Sequence, residues 1–341
     1  MAKPPNILIT GATGAIGTAI MQQLNEKRSL DQVTVFIRDS KKNLKWLKKF
    51  PNATAVFGDI TNSDQVNNVC KDKDVIIHLA AVIPPFSEEN IELGYKINQG
   101  GTENVVKAME SVCPDAHLLF SSSVVVYGDR LKNPMISVND KLAKDQHDHY
   151  GLAKIKCEQL IQQSSINWSV FRLTAIMGIG NHTPDGIMFD VPLDTPIEIA
   201  TVRDTARAFV NALEHLDQLN HKTFNLGGGE NCRISYLDFM SRSFEIYGMG
   251  PVNFPKMAFA KQNFHCGYFT DGDELDDILQ FRTDDLESYF DRLKKSVNPL
   301  QRMATRPFAW AIKKYLLSLS KPYKAFKTKD KEKMNFYFGK S

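Results

Sequence analysis

The sequence predicts an α/β fold in which a doubly wound parallel sheet is followed by a small C-terminal substrate lobe and a basic helical tail. Three observations support this prediction. Short apolar runs alternate with segments of helical periodicity, which is typical of a parallel sheet covered by helices on both faces. A glycine-rich turn separates the first apolar run from the first helical pattern. The composition, 43% hydrophobic and 24% charged residues in a chain of 341, is that of a globular protein and excludes a collagen-like or wholly disordered chain.

Six short apolar runs predict the strands of the sheet. After the first run, Ile16, Ile20 and Leu24 recur at helical spacing, which predicts a helix over residues 15–26. Right-handed crossovers between successive parallel strands make a doubly wound sheet the simplest topology. We therefore assign residues 1–175 to a first domain built on this sheet. The predicted strands cover residues 6–10, 33–37, 53–57, 74–81, 116–123 and 170–174.

The alternation of strands and helices weakens after residue 175. Residues 175–200 are rich in Gly, Pro and Asp and predict loops, and a helix over residues 202–214 follows. A further helical pattern covers residues 236–247. We assign residues 176–300 mainly to a substrate lobe and expect residues 200–227 to return to the first domain.

The positive charge of the chain lies in its tail. Residues 301–341 hold 11 Lys and Arg but only 2 Asp and Glu, whereas residues 1–300 carry a net charge of −6. Pro307 stands at a plausible first position of an amphipathic helix, and the Lys-rich end beyond Pro322 is expected to be mobile. Three interpretations of the tail remain: a helix docked on the body, a peripheral contact with a membrane surface, or a solvated end. Nucleic-acid binding has no motif behind it.

The sequence encodes no metal site and no disulfide framework. The five cysteines are scattered without a C-x-x-C pair, which favours reduced thiols in a cytoplasmic protein. His147 and His149 flank Asp148 without a third ligand cluster, so we predict no metal there. The longest apolar run, residues 75–86, is shorter than the roughly 20 residues that span a bilayer. We expect a cytoplasmic location, with peripheral membrane contact as the alternative.

The glycine-rich turn predicts a dinucleotide site. Its three glycines follow the pattern G-x-x-G-x-x-G between the first strand and the first helix. Without side chains, the backbone N–H groups and the positive end of the helix can approach a pyrophosphate. The residues expected to bind the cofactor in this turn are Gly11, Thr13, Gly14, Ala15, Ile16 and Gly17.

The end of the second strand bears on the choice between NAD and NADP. In dinucleotide-binding folds, the group that contacts the adenosine 2′ position follows the last glycine by about 20 residues. Arg38 stands there, and together with nearby lysines it can pair with a 2′-phosphate. Asp39 could instead bind a free 2′-hydroxyl, so NADP(H) is favoured and NAD(H) stays open. Asp59 and Ile60 follow the third strand, where they can meet the adenine.

The strongest catalytic signal is Tyr150 with Lys154 in a helical pattern, together with Ser123 at the end of the fifth strand. A tyrosine and a lysine four residues apart share one helix face, and an ammonium favours the phenolate, which lowers a pKa of ordinarily about 10. Tyr150 is therefore a candidate general acid or base. The Ser123 hydroxyl can hydrogen-bond a reacting carbonyl oxygen and stabilise charge that develops on it.

Taken together, these motifs resemble those of the extended short-chain dehydrogenases/reductases, the NAD-dependent epimerase/dehydratase group. The resemblance extends over about residues 6–230. The segments that carry it are Gly11-x-x-Gly14-x-x-Gly17, Asp59, His78-Leu-Ala-Ala81, Asn98-x-x-Gly101-Thr102-x-Asn104, Ser121-Ser-Ser-Val-Val-Val-Tyr-Gly128 and Tyr150-x-x-x-Lys154.

The resemblance implies a Rossmann cofactor domain and a role for each matching residue. Tyr150 corresponds to the catalytic acid/base, Lys154 to its activator and the anchor of the nicotinamide ribose, and Ser123 to the hydroxyl that orients the carbonyl. Asn98 corresponds to a family asparagine with a supporting role near the active site. The resemblance also implies that Leu79, Ala80 and Ala81 line the cofactor cleft, and a helix-mediated homodimer is usual in the family.

Two departures from the family pattern make dehydration and a nucleotide-sugar substrate less favoured. Val124 and Val125 replace the Asp-Glu pair of the sugar-nucleotide dehydratases, and Thr174 and Ala175 stand where the epimerases carry a diphosphate-binding Asn. The presumed site is instead surrounded by apolar residues, which favour a hydrophobic ligand. These residues are Ile83, Pro84, Pro85, Phe86, Met177, Met188 and Phe189.

We therefore expect an NADP(H)-preferring oxidoreductase that transfers hydride to or from a carbonyl or alcohol of a hydrophobic small molecule. Two alternatives remain. One is a nucleotide-sugar epimerase with tightly bound NAD. The other is a dinucleotide-binding protein without catalytic activity, although such proteins typically lose the Tyr or the Lys that this chain retains.

Overall fold

The computed structural model describes residues 4–143, 148–180 and 184–339, and over these ranges its main feature is a seven-stranded parallel sheet. The predicted fold class, a doubly wound α/β sheet with a helical C-terminal region, is confirmed. The strands of the chain are β1 Ile7–Thr10, β2 Val33–Ile37, β3 Thr54–Phe57, β4 Val75–His78, β5 His117–Ser123, β6 Met135–Ile136, β7 Asn167–Leu173, β8 Ala175–Met177, β9 Pro196–Thr201, β10 Lys222–Leu226, β11 Arg233–Ser235 and β12 Tyr268–Phe269.

Helices cover both faces of this sheet and continue into the C-terminal region. The helix predicted over residues 15–26 has those bounds in the structure. The helices are α1 Ala15–Glu26, α2 Lys41–Leu47, α3 Ser63–Cys70, α4 Phe86–Glu89, α5 Ile91–Tyr95, α6 Gly101–Val112, α7 His149–Gln163, α8 Val202–Ala212, α9 Leu216–Leu219, α10 Tyr236–Tyr247, α11 Asp273–Leu279, α12 Leu286–Ser296, α13 Pro299–Leu319, α14 Lys321–Thr328 and α15 Lys331–Phe338.

The strand order β10-β7-β5-β4-β1-β2-β3 reverses between β1 and β4. Alternate residues of β1 point to opposite faces of the sheet, so Leu8 packs under α3 and α6 while Ile7 and Ile9 pack under α1 and α8. Both clusters are apolar and buried, which explains why the strands are continuous hydrophobic runs. The reversal leaves a crevice beyond the carboxyl ends of β1 and β4, where ligands of such sheets bind.

The segment that we expected to consist of loops, residues 175–200, contains two strands. β8 pairs in parallel with β9, and β9 pairs antiparallel with β11, which lies more than 30 residues later. The pairing places the carboxylate of Glu198 in a buried position, where Arg233 and the backbone N–H of Gly229 donate to it. These partners are distant in sequence, which is why local composition gave the wrong prediction. Separately, β10 lies at the edge of the large sheet beside β7, and α8 packs against α1.

The C-terminal helices correct two further expectations. α13 begins at Pro299, where the Asn298 side chain accepts a hydrogen bond from Leu300 N at 2.9 Å, so Pro307 lies inside the helix and not at its start. Beyond Pro322 the chain forms α14 and α15, whose buried Ala325 and Tyr337 pack on Ala260. The tail is therefore docked on the body of the protein over the described residues.

All five cysteines are free and buried. Among the residues that the structure describes, no group of His, Cys, Asp and Glu side chains is arranged so that it could bind a metal ion. His147, one of the two histidines considered above, lies outside the described residues. No helix in the described part of the chain combines the length and apolar character needed to cross a membrane.

Candidate active site

The glycine-rich turn after β1 is shaped by close backbone contacts. Gly11 has φ +72°, and a Cβ atom there would lie 2.7 Å from Ala80 N, in the loop that follows β4. At Gly17, a Cβ atom would lie 2.5 Å from Gly11 O. Side chains at these two positions would force the loops apart, so the sequence needs glycine at both.

The start of α1 fits a pyrophosphate. Gly14 is the N-cap residue and supplies no side-chain hydrogen bond, and the first turn of the helix contains no acidic residue. Thr13, Gly14 and Ala15 are accessible to solvent, whereas Ile16 packs partly against the core. The N–H groups of the first turn therefore face solvent without a side-chain acceptor, in the crevice between β1 and β4.

The ends of β2 and β3 bring Arg38 and Asp59 together. Both side chains are exposed. The pKa of Asp59 lies below its ordinary value because Thr61 N donates to its carboxylate at 2.8 Å, and the positive charges of Arg38 and Lys96 act in the same direction. Ile60 packs against Gly101 at the start of α6, and its carbonyl oxygen accepts a hydrogen bond from Asn104 Nδ2 at 2.9 Å.

A buried imidazole joins the ends of β1 and β4. Thr102 Oγ1 donates to Asn98 O at 2.7 Å, so it accepts from the Nε2–H of His78 at 3.1 Å. His78 Nδ1 then accepts from the Thr10 hydroxyl at 2.6 Å, and Thr10 Oγ1 accepts from Ala80 N at 3.3 Å. Burial lowers the pKa of His78 to about 3, so the ring is neutral at physiological pH. This chain of hydrogen bonds fixes Ala80, which the family resemblance assigns to the cofactor cleft together with Leu79 and Ala81.

Asn98 holds the next part of the same loop. Its side chain is buried in the π-helical turn Lys96–Gly100, where Oδ1 accepts from Val82 N and Nδ2 donates to Val82 O, each at 2.8 Å. Both polar atoms of the amide are thus bonded to the backbone beyond Ala81. In this structure Asn98 supports the wall of the site and does not line its cavity.

Tyr150 and Lys154 lie on one face of α7, one turn apart. Asp148 caps this helix by accepting from Gly151 N, and Glu88 accepts from Tyr150 N at 2.8 Å. Lys154 is buried, and its Nζ donates to Ser121 O at 2.6 Å and lies 5.9 Å from the centroid of the Tyr150 ring. The helix therefore brings Tyr150 and Lys154 to the end of β5, where Ser123 stands.

Burial dominates the ionisation of this group. It raises the pKa of Tyr150, and Cys157 and Asp148 act in the same direction, while the hydrogen bond with Ser123 acts against them. We expected Lys154 to lower the pKa of Tyr150, but in this structure burial has the larger effect and the pKa is raised. Burial also lowers the pKa of Lys154, although Cys157 and Glu158 oppose that shift.

A cavity of about 570 Å³ is lined by Ser123 and Tyr150 and by side chains from β8, the turn Gly186–Phe189 and α10. Of the apolar residues proposed from the sequence, Ile83, Pro84, Pro85, Met177 and Met188 line it. Phe189 does not, because it is buried beneath the cavity among Phe254 and Phe259, and Phe86 is exposed on α4. The wall formed by α10 and the chain around it was not predicted from the sequence, because the helical periodicity of residues 236–247 indicates a helix but not the surface that the helix faces. The residues missed include Tyr236, Phe239, Met240, Phe244, Tyr247 and His265.

The cavity offers little charge to a ligand. No Lys or Arg is present among its described lining residues, which include one carboxylate, Asp185, and one imidazole, His265. Burial lowers the pKa of His265 to about 4, so this ring is neutral at physiological pH. The described lining suits an apolar ligand and lacks cations that would balance a diphosphate.

Comparisons with known proteins agree with the fold and with the sequence motifs described above. A sequence model of the NAD dependent epimerase/dehydratase family matches residues 7–191, more than half of the chain. Mouse (Mus musculus) 3β-hydroxysteroid dehydrogenase type 7 is 29% identical over 163 residues, which are 46% of this chain and 44% of that protein. The chain thus spans less than half the length of this relative.

Two further proteins extend the comparison. D-erythronate dehydrogenase of Cupriavidus necator is 25% identical over 252 residues, 65% of this chain and 77% of that protein. A solved structure of UDP-glucose-4-epimerase from Stenotrophomonas maltophila, with bound NAD and formylated UDP-arabinopyranose, matches with a TM-score of 0.69 and 21% identity. The match covers 89% of this chain and 99% of the epimerase chain, and at this identity it shows a common fold.

Proposed function

This chain belongs to the NAD dependent epimerase/dehydratase family, and we propose that it is an NADP(H)-preferring oxidoreductase that acts on a carbonyl or alcohol group of a hydrophobic small molecule. The observation that carries this proposal is the apolar cavity that meets Ser123 and Tyr150 at one end. A reacting oxygen at that end contacts two hydroxyl groups, while the rest of the ligand is enclosed by aliphatic and aromatic side chains.

The proposed roles follow from the geometry of three side chains. When bound, a reduced nicotinamide dinucleotide would supply the hydride for reduction of a carbonyl, and oxidation of an alcohol would run through the same steps in reverse. Tyr150, whose pKa is raised, is protonated at neutral pH and donates its proton to the carbonyl oxygen. Ser123, hydrogen-bonded to the same phenol, stabilises negative charge on that oxygen. The buried Lys154 ammonium, held by Ser121 O, stabilises the phenolate that remains after donation.

The preference for NADP(H) rests on Arg38. Its guanidinium is exposed at the end of β2, beside the start of α2 with Lys41 and Lys42. These cations can form charge-assisted hydrogen bonds to a 2′-phosphate. Asp39 offers the competing interaction with a free 2′-hydroxyl, so the affinities for the two cofactors must be compared directly.

The epimerase alternative has weaker support. A nucleotide sugar carries a diphosphate, and the described cavity lining holds no Lys or Arg to pair with it. The alternative without catalysis is disfavoured because Ser123 and Tyr150 both line the cavity and the Lys154 ammonium lies 5.9 Å from the Tyr150 ring.

The first experiment is a titration of the purified protein with NADPH and NADH, followed by nicotinamide fluorescence, after acid extraction to detect a dinucleotide that co-purifies. A panel of hydrophobic ketones and alcohols is then assayed beside sugar nucleotides. Tighter binding of NADPH and turnover of a hydrophobic substrate support the proposal. Retained NAD with turnover of a sugar nucleotide would replace it with the epimerase, and binding of neither cofactor would overturn it.

A further inference from the structure

Helix α13 has two apolar faces. On the inner face, Ile312, Leu316 and Leu319 join the same buried cluster as Met240 and Phe244 of the cavity wall. On the outer face, large apolar side chains are exposed to solvent. Their exposed fractions are Leu300 74%, Met303 66%, Phe308 63%, Trp310 69% and Tyr315 64%.

The exposed side chains form a continuous band along the helix. At about 100° per residue, Met303 and Trp310 lie along one edge of the outer face and Phe308 and Tyr315 along its other edge, with Leu300 between the two edges. At 1.5 Å per residue, the band from Leu300 to Tyr315 is about 22 Å long. Single exposed apolar residues are ordinary in soluble proteins, but a contiguous band of this size marks an interaction surface.

The helix that carries this band, the tail that it begins and the end of the preceding helix are rich in basic residues. Residues 301–341 hold 11 Lys and Arg against 2 Asp and Glu. Arg306 and Lys314 are exposed on α13 itself, and Lys294 and Lys295 are exposed at the end of the preceding helix. Exposed tryptophan and tyrosine among lysines are typical of helices that lie in the headgroup region of a bilayer.

We propose that the outer face of α13 docks on the surface of an anionic lipid bilayer. Trp310, Met303 and Leu300 enter the boundary between headgroups and acyl chains, and the surrounding lysines and arginines pair with anionic headgroups. A second copy of this chain is the less favourable occupant. A symmetric contact through the same face would bring two basic surfaces together and cost electrostatic free energy.

Docking in this way places the cavity next to the bilayer. The inner face of α13 packs on the cavity wall, and Leu319 O at the end of the helix lies against Gly186, in the 3-10 turn Gly186–Phe189 that carries Ile187 and Met188 of the lining. The cavity wall therefore lies one helix diameter, about 10 Å, from the docked face. The docking itself does not rest on the proposed enzymatic function, because it follows from the outer face alone.

The test is flotation of the full-length protein with vesicles of phosphatidylcholine alone or with a third of the lipid replaced by phosphatidylserine. Met303→Asp/Trp310→Asp removes the centre of the band, and Ile91→Asp/Leu237→Asp is the matched control at exposed apolar residues elsewhere. Trp310→Phe keeps the apolar surface but removes the fluorescent probe. Thermal melting of each variant verifies folding, and none of these measurements needs catalytic turnover.

We expect the wild type and the control to float with the phosphatidylserine vesicles at low salt, and high salt to release them. Wild-type emission should shift to the blue, Trp310→Phe should float without that shift, and the double Asp variant should bind at least about tenfold more weakly. Equal flotation with phosphatidylcholine alone, no flotation at low salt, or unchanged binding of the double variant would overturn the proposal. A wild-type dimer that the double variant converts to monomer, without vesicle binding, would assign the face to self-association.

Discussion

Glu158 accepts a hydrogen bond from the Ser122 hydroxyl, and this bond ties the helix that carries Tyr150 to the strand that carries Ser123. Both partners are buried. Arg172 on β7 donates to the same carboxylate from Nε at 3.1 Å and from Nη2 at 2.7 Å. Helix α7 and the strands β5 and β7 therefore share one buried ion pair, about two turns along the helix from Tyr150.

Replacing Glu158 with Ala should destabilise the protein strongly. The substitution leaves the Arg172 guanidinium buried without its carboxylate, and breaking a buried pair in this way costs about 3–5 kcal/mol. Glu103→Ala is the matched control, because its ion pair with Lys107 is exposed and should contribute less than about 1 kcal/mol. Urea denaturation measures both free energies of unfolding. Similar small losses in the two variants would contradict a structural role of the buried pair.

Tyr150→Phe should abolish turnover and leave cofactor binding nearly unchanged. The phenol hydroxyl is the proton donor in the proposed reaction, and loss of a general acid lowers kcat by about 10²–10⁴-fold. The aromatic ring, which packs against a buried apolar cluster that includes Val124 and Ile155, is retained. Steady-state kinetics and an NADPH titration separate the two effects. Tyr127→Phe, which removes a buried hydroxyl that is not part of the described cavity lining, is the control, and unchanged turnover in Tyr150→Phe would exclude the assignment.

Arg38→Ala should weaken NADPH binding selectively. Loss of charge-assisted hydrogen bonds to a 2′-phosphate lowers affinity by about 10–100-fold, while NADH, which lacks this phosphate, should bind as before. Lys45→Ala, at an exposed position on the same helix as Lys41 and Lys42, is the control for general loss of positive charge. Fluorescence titrations with NADPH and with NADH measure the two dissociation constants of each variant, and their ratio gives the selectivity for NADPH. If Arg38→Ala weakened the binding of NADPH and NADH equally, Arg38 would have no role in recognising the 2′-phosphate.

Local features of the sequence predicted the glycine-rich turn and the pair Tyr150 and Lys154. The structure of residues 175–200 depends instead on contacts between residues that are distant in sequence. The turn from Gly11 to Gly17 and the pair Tyr150 and Lys154 each lie within a few residues, so spacing alone indicated their geometry. The strand β9 could not be found in this way, since it is held by pairing with β11 and by the buried bond between Glu198 and Arg233. The start of α13 was misplaced for a local reason, because Pro299 after Asn298 is a better start signal than Pro307.

The neutral imidazole of His78 should make stability fall in acid. Burial lowers its pKa to about 3 in the folded protein, and in the unfolded chain the pKa is about 6.5. Between these values the unfolded chain binds a proton that the folded protein does not, so the contribution is fully present above about pH 6.5 and declines as the pH falls, by up to about 1.4 kcal/mol per pH unit. His117 and His265, whose pKa values burial lowers to about 4, act in the same sense.

Urea denaturation between pH 7 and pH 5 measures the combined slope, and His78→Asn should reduce it while the part due to His117 and His265 remains. Since this variant removes the hydrogen bonds to Thr10 and Thr102 and could fail to fold, ¹⁵N NMR of the wild-type imidazoles supplies a second measurement. The ring of His78 should stay neutral at pH 5 with its proton on Nε2, because Thr102 donates its own hydrogen to Asn98 O and can only accept from the ring. A ring that titrates near pH 6.5, or one protonated on Nδ1, would contradict the hydrogen-bond chain that fixes Ala80.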